Sequence, residues 1–335
     1  MEFFGLTLFG SLQGGGLLAV AAVLFVIGLA LIIKGGDWFV DSASWFAEAT
    51  GIPKFVVGAT VVSFATTLPE LLVSVRAAAN GSAQLAIGNA VGSVTANTTL
   101  IMGVSLVAMA GAVNRKSFSL KGGLFLGSVV ILTLLSLGMS LPVWSAFILW
   151  AICIGFMVSN VLEGKKEAAP SVSEAFDKKA VPSKVLWFLI GTASIVFGAE
   201  FLVSSGKTIA AGIGISETII GFTVIALGTS LPELVTAVTA LAKGHGALSL
   251  GNVIGANLFN LVLVSGVATV LSPFAVPTGK TLGGVSTSLL IDIPVMLFAM
   301  AFLCLPALLR GKLSRWQGIT LLAVYAAFCV LQFVL

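Results

Sequence analysis

Charge is what this sequence has least of. Of 335 residues, 17 are Lys or Arg and 13 are Asp or Glu, 9% in all. A typical soluble domain carries about 25%, so a soluble globular chain is excluded. There is one histidine, and there are three cysteines, Cys153, Cys304 and Cys329, each within an apolar run. A soft-metal centre has little support from so few ligands. The cysteines read as small buried hydrophobes and not as a disulfide framework. No nucleotide motif and no nucleophile–base pair is legible, which argues against an enzyme, and nothing calls for a cofactor. The N-terminus lacks the basic region and cleavage site of a removable signal peptide, so the first span is expected to stay in place.

What is abundant is hydrocarbon. Hydrophobic residues make up 58% of the chain and mean hydropathy is +1.13. The composition predicts an all-α polytopic membrane protein whose surroundings are a lipid bilayer. A span takes about 20 apolar residues, and the pattern gives ten helices. They fall near 17–36, 54–79, 84–110, 119–139, 142–162, 185–206, 217–242, 246–271, 284–308 and 316–334. Residues 37–50 and 200–213 continue or follow the first and sixth spans as amphipathic pieces. The charged, proline-containing stretch 163–184, "EGKKEAAPSVSEAFDKKAVPSK", reads as a linker between halves, 1–162 and 185–335.

The net charge of +4 sits in short clusters such as Arg115-Lys116 and Lys178-Lys179. That is loop charge that sets topology, not a nucleic-acid surface. With the N-terminus outside, the inner loops hold 13 of the basic residues, Lys121 among them, and the outer side holds Arg76, Lys207 and Lys280. The bias predicts both termini outside and a cytoplasmic linker, and the compactness of the chain makes a bacterial cell (inner) membrane the default expectation.

The chain repeats itself. Shifted by 163 residues, 36–103 matches 199–266 at 24 of 68 positions without a gap. Thr66-Thr67-Leu68-Pro69-Glu70 falls on Thr229-Ser230-Leu231-Pro232-Glu233, Gly88-Asn89 on Gly251-Asn252, and Asn97 on Asn260. Five spans per half is an odd number, so the second half enters from the opposite side. The prediction is two inverted-topology repeats of five helices, with ions bound near the midplane where the repeats meet.

A carboxylate in hydrocarbon costs about 2.5–3.5 kcal/mol even on the lenient insertion scale, and this chain places two, each after a proline. Pro69 withdraws a hydrogen bond from the carbonyl of Ala65, and Pro232 from that of Gly228. A bound cation is one way to satisfy such carbonyls. Thr66 and Glu70 are four apart on one helix face, as are Thr229 and Glu233. The next helix of each half offers Ser93 with Asn97, and Ala256 with Asn260. Gly88, Gly92, Gly251 and Gly255 are expected to let helices approach closely. The donors are all hard oxygens, suited to Ca²⁺, which takes 6–8 of them.

Other polar positions read more plainly. Asn89 and Asn252 are expected to tie helices together. Asp37, Asp41 and Glu200 are interfacial, Asp292 is structural or a hinge, and His245 is a solvated loop residue.

At "GATVVSFATTLPELLVS…AIGNAVGSVTANTTLIMG" and "GFTVIALGTSLPELVTA…SLGNVIGANLFNLVLVSG" the chain resembles the sodium/calcium exchanger family of the cation/calcium antiporters. The resemblance implies electrogenic exchange of Ca²⁺ for Na⁺ by alternating access, the first and sixth helices sliding across the rest. It implies Glu70 and Glu233 as central carboxylates, completed by Asn97 and Asn260. Thr66, Thr229, Ser230 and Ser93 would serve Na⁺, with backbone carbonyls from Ser63 and Ala226. Asn260 stands where potassium-dependent members carry Asp, which argues against K⁺ co-transport. Ala256 and Val94 also depart from the family pattern and leave stoichiometry open. The alternatives are a proton-coupled Ca²⁺ or cation antiporter, since buried carboxylates also carry protons, and a gated channel.

Overall fold

The computed structural model describes residues 2–3, 6–7, 14–81, 83–112, 115–137, 140–167, 178–213, 228, 230–272, 274–275, 281–282 and 285–334. Its framework is helical. We label α1 Gly14–Thr50, α2 Lys54–Ala79, α3 83–108, α4 Arg115–Leu137 and α5 Val143–Glu167. The second set is α6 Val181–Gly212, α7 Leu231–Ala242, α8 Gly246–Leu271, α9 Ser288–Arg310 and α10 Arg315–Val334. Among the described residues, eight helices are long and apolar enough to cross a membrane. These are α1 to α6, α8 and α9, with α7 shorter but apolar. The strands are two-residue pairs, such as Gly111–Ala112 with Lys312–Leu313.

The expected amphipathic pieces are continuations. α1 runs unbroken to Thr50 and α6 to Gly212. The interhelical linker is shorter than 163–184, because α5 extends to Glu167 and α6 begins at Val181. Lys165 and Lys166 in the last turn of α5 favour that extension through the helix dipole.

Burial separates the helices into a centre and a periphery. In their most apolar stretches α3 and α8 are 78% and 83% buried, but α1 and α6 only 17% and 22%. The central pair carries the two Gly-Asn…Asn motifs, and the peripheral pair is held mostly to itself. α1 and α6 touch backbone to backbone: a Cβ on Gly28 would lie 2.9 Å from the Gly198 carbonyl oxygen. One on Gly191 would lie 2.7 Å from the Phe39 nitrogen. Phe39 stacks on Phe188 at 4.6 Å nearby.

The acidic end of α1 is tied to its neighbours by ion pairs. Lys243, in the turn after α7, reaches Asp41 at 2.8 Å and Asp37 at 3.1 Å, and Lys54 reaches Glu48 at 2.7 Å. Lys121 differs from its reading as a loop charge. It lies within α4, buried, paired with Glu163 at 2.7 Å and placed over the Phe55 ring. A buried ammonium needs such a partner to offset its lost hydration.

His245 is half-buried, with Nδ1 3.1 Å from Lys54 Nζ, and is more enclosed than a solvated loop residue. Burial, then the Lys54 charge, lowers its pKa below the ordinary 6.5. The folded protein therefore resists protonating it, and it loses stability relative to the unfolded chain as pH falls below the ordinary 6.5. Melting temperature is expected to fall between pH 7.5 and 5 more in the wild type than in His245→Gln; equal slopes would refute the assignment.

Candidate ion-binding site

α2 carries the first acidic motif. It starts after Pro53, takes a π-helical turn at Gly58–Val62, and continues as Ser63–Ala79 straight through Pro69. Glu70 is thus mid-helix and fully buried, with Ser63, Thr66 and Thr67 buried on the turns before it. The second motif is arranged differently. Ser230 stands at the N-cap position of α7 without a side-chain capping bond, Pro232 sits in the first turn, where the missing N–H costs nothing, and Glu233 follows. Glu233 is also fully buried, at the helix end whose dipole favours a carboxylate. Thr229 and Ala226 lie outside the described residues.

The partner helices each break into a π-helical turn at the predicted asparagine. One spans Asn97–Ile101 in α3, the other Phe259–Val264 in α8. Such turns concentrate at functional sites because they redirect side chains out of the regular spiral. Asn97, Asn260 and Ser93 are buried. The turn holding Asn260 packs on both α2 and α3, and α7 packs on the turn holding Asn97. The four motif helices therefore converge.

α8 reaches α2 through glycine. A Cβ on Gly251 would collide with the Phe55 carbonyl, and one on Gly255 with Ser63 Oγ. The expectation of close approach holds for these two. At Gly88 and Gly92 no described residue lies within contact of such a Cβ.

At the convergence, polar atoms outnumber their partners. Both oxygens of Glu70, Oε2 of Glu233, the hydroxyls of Ser93 and Ser230, and both amide atoms of Asn97 and Asn260 are buried without a hydrogen bond among the described residues. The two carboxyl groups are close enough to interact. Thr67 Oγ1 lies 3.5 Å from Glu233 Oε1, joining the two motifs directly. Thr66 Oγ1 lies 3.3 Å from both Asn252 Oδ1 and the Ser63 carbonyl. Asn252 thus ties α8 to α2, and Asn89 ties α3 to α2 through Ser74 at 3.1 Å. Buried polar groups are ordinarily paired. A cluster of unpaired oxygens around two carboxylates suits an oxygen-seeking cation. Among the described residues no group of three His, Cys, Asp or Glu forms a conventional metal cage.

The family model described as "Sodium/calcium exchanger protein" matches residues 20–162 and 183–334. The chain belongs to the sodium/calcium exchanger family. Its function class is therefore transport and not enzymatic catalysis. The sodium/calcium exchanger MaX1 of Methanosarcina acetivorans is 29% identical over 95% of this chain and 99% of its own. The inner membrane protein YrbG of Escherichia coli is 32% identical over 76% and 81%. The sodium-calcium exchanger NCX_Mj, solved after soaking with Na⁺ and Sr²⁺, superposes with a TM-score of 0.80 at 28% identity. That match covers 92% of this chain and 98% of NCX_Mj.

Sequence reasoning missed three parts of this exchanger's polar interior. Thr67 faces Glu233, Asn257 donates to Thr98 Oγ1 at 2.8 Å, and Thr236 is fully buried one turn after Glu233. Asn257 falls on Val94 and Thr98 on Leu261 in the 163-residue register, so a search for matched positions passes over them. Asp292 receives a hydrogen bond from Gln332 at 2.6 Å, consistent with a structural role.

Proposed function

We propose that this chain exchanges Ca²⁺ for Na⁺ across a cell membrane. Both ions use one site, near the midplane, between two inverted five-helix repeats that occupy 1–162 and 185–335. The observation that carries this reading is the cluster of unpaired buried oxygens at Glu70, Glu233, Asn97 and Asn260. Two carboxylates neutralise one divalent ion, and several Na⁺ can replace it on the same oxygens. Ser93, Ser230 and Thr66 lend hydroxyls to the Na⁺-loaded form, and Ser63 a carbonyl. Thr229 and Ala226 take the matching roles through the repeat.

The backbone supports a repeat. Gly81 and Gly244, 163 residues apart, close α2 and α7 with φ of 78° and 75°. The π-helical turns at both asparagines agree with it. α7 and α10 would complete ten spans, with the termini outside and the linker in the cytoplasm. Access alternates as the glycine-packed α1–α6 pair moves against the centre. The empty site resists that movement because two uncompensated buried carboxylates would have to pass through an occluded state.

Equilibrium binding of ⁴⁵Ca²⁺ to purified protein tests the shared site. Na⁺ should displace Ca²⁺ competitively, while K⁺ should not. Ca²⁺ binding indifferent to Na⁺ would rule the shared site out. Asn260→Asp adds a third carboxylate and is expected to tighten Ca²⁺ about tenfold, worth about 1.4 kcal/mol, or to alter voltage dependence. No change in either would remove Asn260 from the ligand set.

A further inference from the structure

One half of α1 is held to the centre and the other is not. In the half towards Thr50, Phe39, Val40 and Ala47 are buried in an apolar cluster with Ala65 of α2, Ala240 of α7 and Leu248 of α8. In the half towards Gly14, only Ala21, Gly28 and Ile32 are buried. Ala240 lies two turns beyond Glu233 on α7, and Leu248 one turn before Asn252 on α8. The cluster therefore stands between the ion site and the face that carries Lys54 and Lys243, the basic face. α1 passes α7 closely there: a Cβ on Gly36 would lie 2.9 Å from both Thr239 Oγ1 and Val235 Cγ1. Hydrophobic contact is non-directional. Ion pairs at defined positions add register.

Lys243, in the turn between α7 and α8, supplies them. Its ammonium lies 2.8 Å from Asp41 Oδ1, 3.1 Å from Asp37 Oδ1 and 3.4 Å from the Asp37 carbonyl. The two aspartates are four apart on one face of α1, about 6 Å along its axis. One ammonium of the centre thus holds two carboxylates of a helix that has to move past it. A shift of one turn, about 5.4 Å, would leave at most one of the two at contact distance. We propose that the Lys243 clasp on Asp37 and Asp41 is a latch, which holds α1 in the arrangement that closes the basic face and releases before the ion site opens there. The inference rests on the exchanger reading, in which the α1–α6 pair moves against the centre.

The repeat does not supply the matching charges at the opposite face. In the 163-residue register Lys243 falls on Asn80, at the end of α2, and Asp37 and Asp41 fall on Glu200 and Ser204 of α6. Asn80 brings no positive charge to Glu200. Two alike halves would balance the two arrangements, and a clasp built from one half's register alone tilts that balance. The tilt is modest, because the side chains of Lys243, Asp37 and Asp41 are 28%, 40% and 56% exposed and water weakens such pairs. A modest tilt suits an exchanger, which visits both arrangements in every cycle.

The test reads each face separately, in sealed membrane vesicles of known orientation, as the Ca²⁺ concentration that half-saturates flux. A face whose open arrangement is rare shows an apparent affinity weakened by that rarity. Lys243→Gln is expected to tighten apparent Ca²⁺ affinity at the basic face about three- to tenfold and to leave the opposite face nearly unchanged. Asp37→Asn combined with Asp41→Asn should do the same from the other side of the clasp. Lys243→Arg, which keeps the clasp, should match the wild type. No change at the basic face, or an equal change at both faces, would overturn the latch.

A cross-link gives an independent arm. Asp41→Cys and Lys243→Cys are placed in the full chain, with Cys153, Cys304 and Cys329 replaced by alanine. A short bifunctional thiol reagent that a reductant cleaves joins them, and bridging is read by mass. Flux should fall about tenfold or more in the bridged protein and return on reduction. Flux undiminished by the bridge would overturn the latch, since α1 would then complete the cycle without leaving Lys243. The gradient that drives the reduced protein tests the exchanger reading separately, because the ratio of bridged to reduced flux means the same whichever gradient is used.

Discussion

Glu70→Gln or Glu233→Gln abolishes Na⁺-driven Ca²⁺ flux and leaves a folded protein. Both side chains are fully buried and close enough to interact. Glutamine keeps the shape and an amide oxygen but not the charge. A divalent ion in a water-poor site depends on that charge far more than it would in bulk water. Flux is expected to drop about 100-fold or more, equivalent to about 2.7 kcal/mol in the barrier. Stability without ions should not fall, because the substitution removes one of two like charges from the interior. The rise in melting temperature that Ca²⁺ gives the wild type by binding the folded form should disappear. Flux near wild type in either variant would mean that the carboxylates do not hold the transported ion. Failure of both to fold would mean that their role is structural.

Gly251→Val is expected to cost nearly as much by a different path. Its Cβ would run into the Phe55 carbonyl and would lie 3.0 Å from the Ala59 nitrogen. Both obstacles are backbone, so no rotamer change relieves them. Overpacking of this kind costs about 1–3 kcal/mol, occasionally more. The only escape is for α8 to draw away from α2, which breaks the Thr66–Asn252 contact and carries Asn260 away from Glu70. Thermal unfolding should show the loss of stability, and flux should fall with it. Gly155→Ala is the control: nothing lies within 4 Å of its Cβ, and alanine favours a helix interior by about 0.5–1 kcal/mol. A stable, active Gly251→Val protein would contradict the backbone contact between α2 and α8.

The sequence announced the helices because hydrocarbon must fill each span, and it announced the motif because Pro-Glu in lipid is costly. Glu70, Glu233, Asn97 and Asn260 could be located for that reason, and the repeat confirmed their register. Four things were not legible. The π-helical turns depend on hydrogen-bond pairing along the helix, which composition does not encode. The asymmetry between Glu70 in mid-helix and Glu233 in a first turn is hidden by identical Leu-Pro-Glu segments. Lys121 looked like loop charge because Arg115 and Lys116 precede it closely, yet Glu163 on the neighbouring helix draws it inside. Asn257 and Thr98 escaped because they break the internal symmetry that revealed the rest.

The most direct measurement is ⁴⁵Ca²⁺ uptake by proteoliposomes loaded with Na⁺ and diluted into Na⁺-free buffer, beside vesicles with K⁺ or pH gradients. Uptake that requires the outward Na⁺ gradient is the predicted result. Uptake driven by the pH gradient and indifferent to Na⁺ would contradict it.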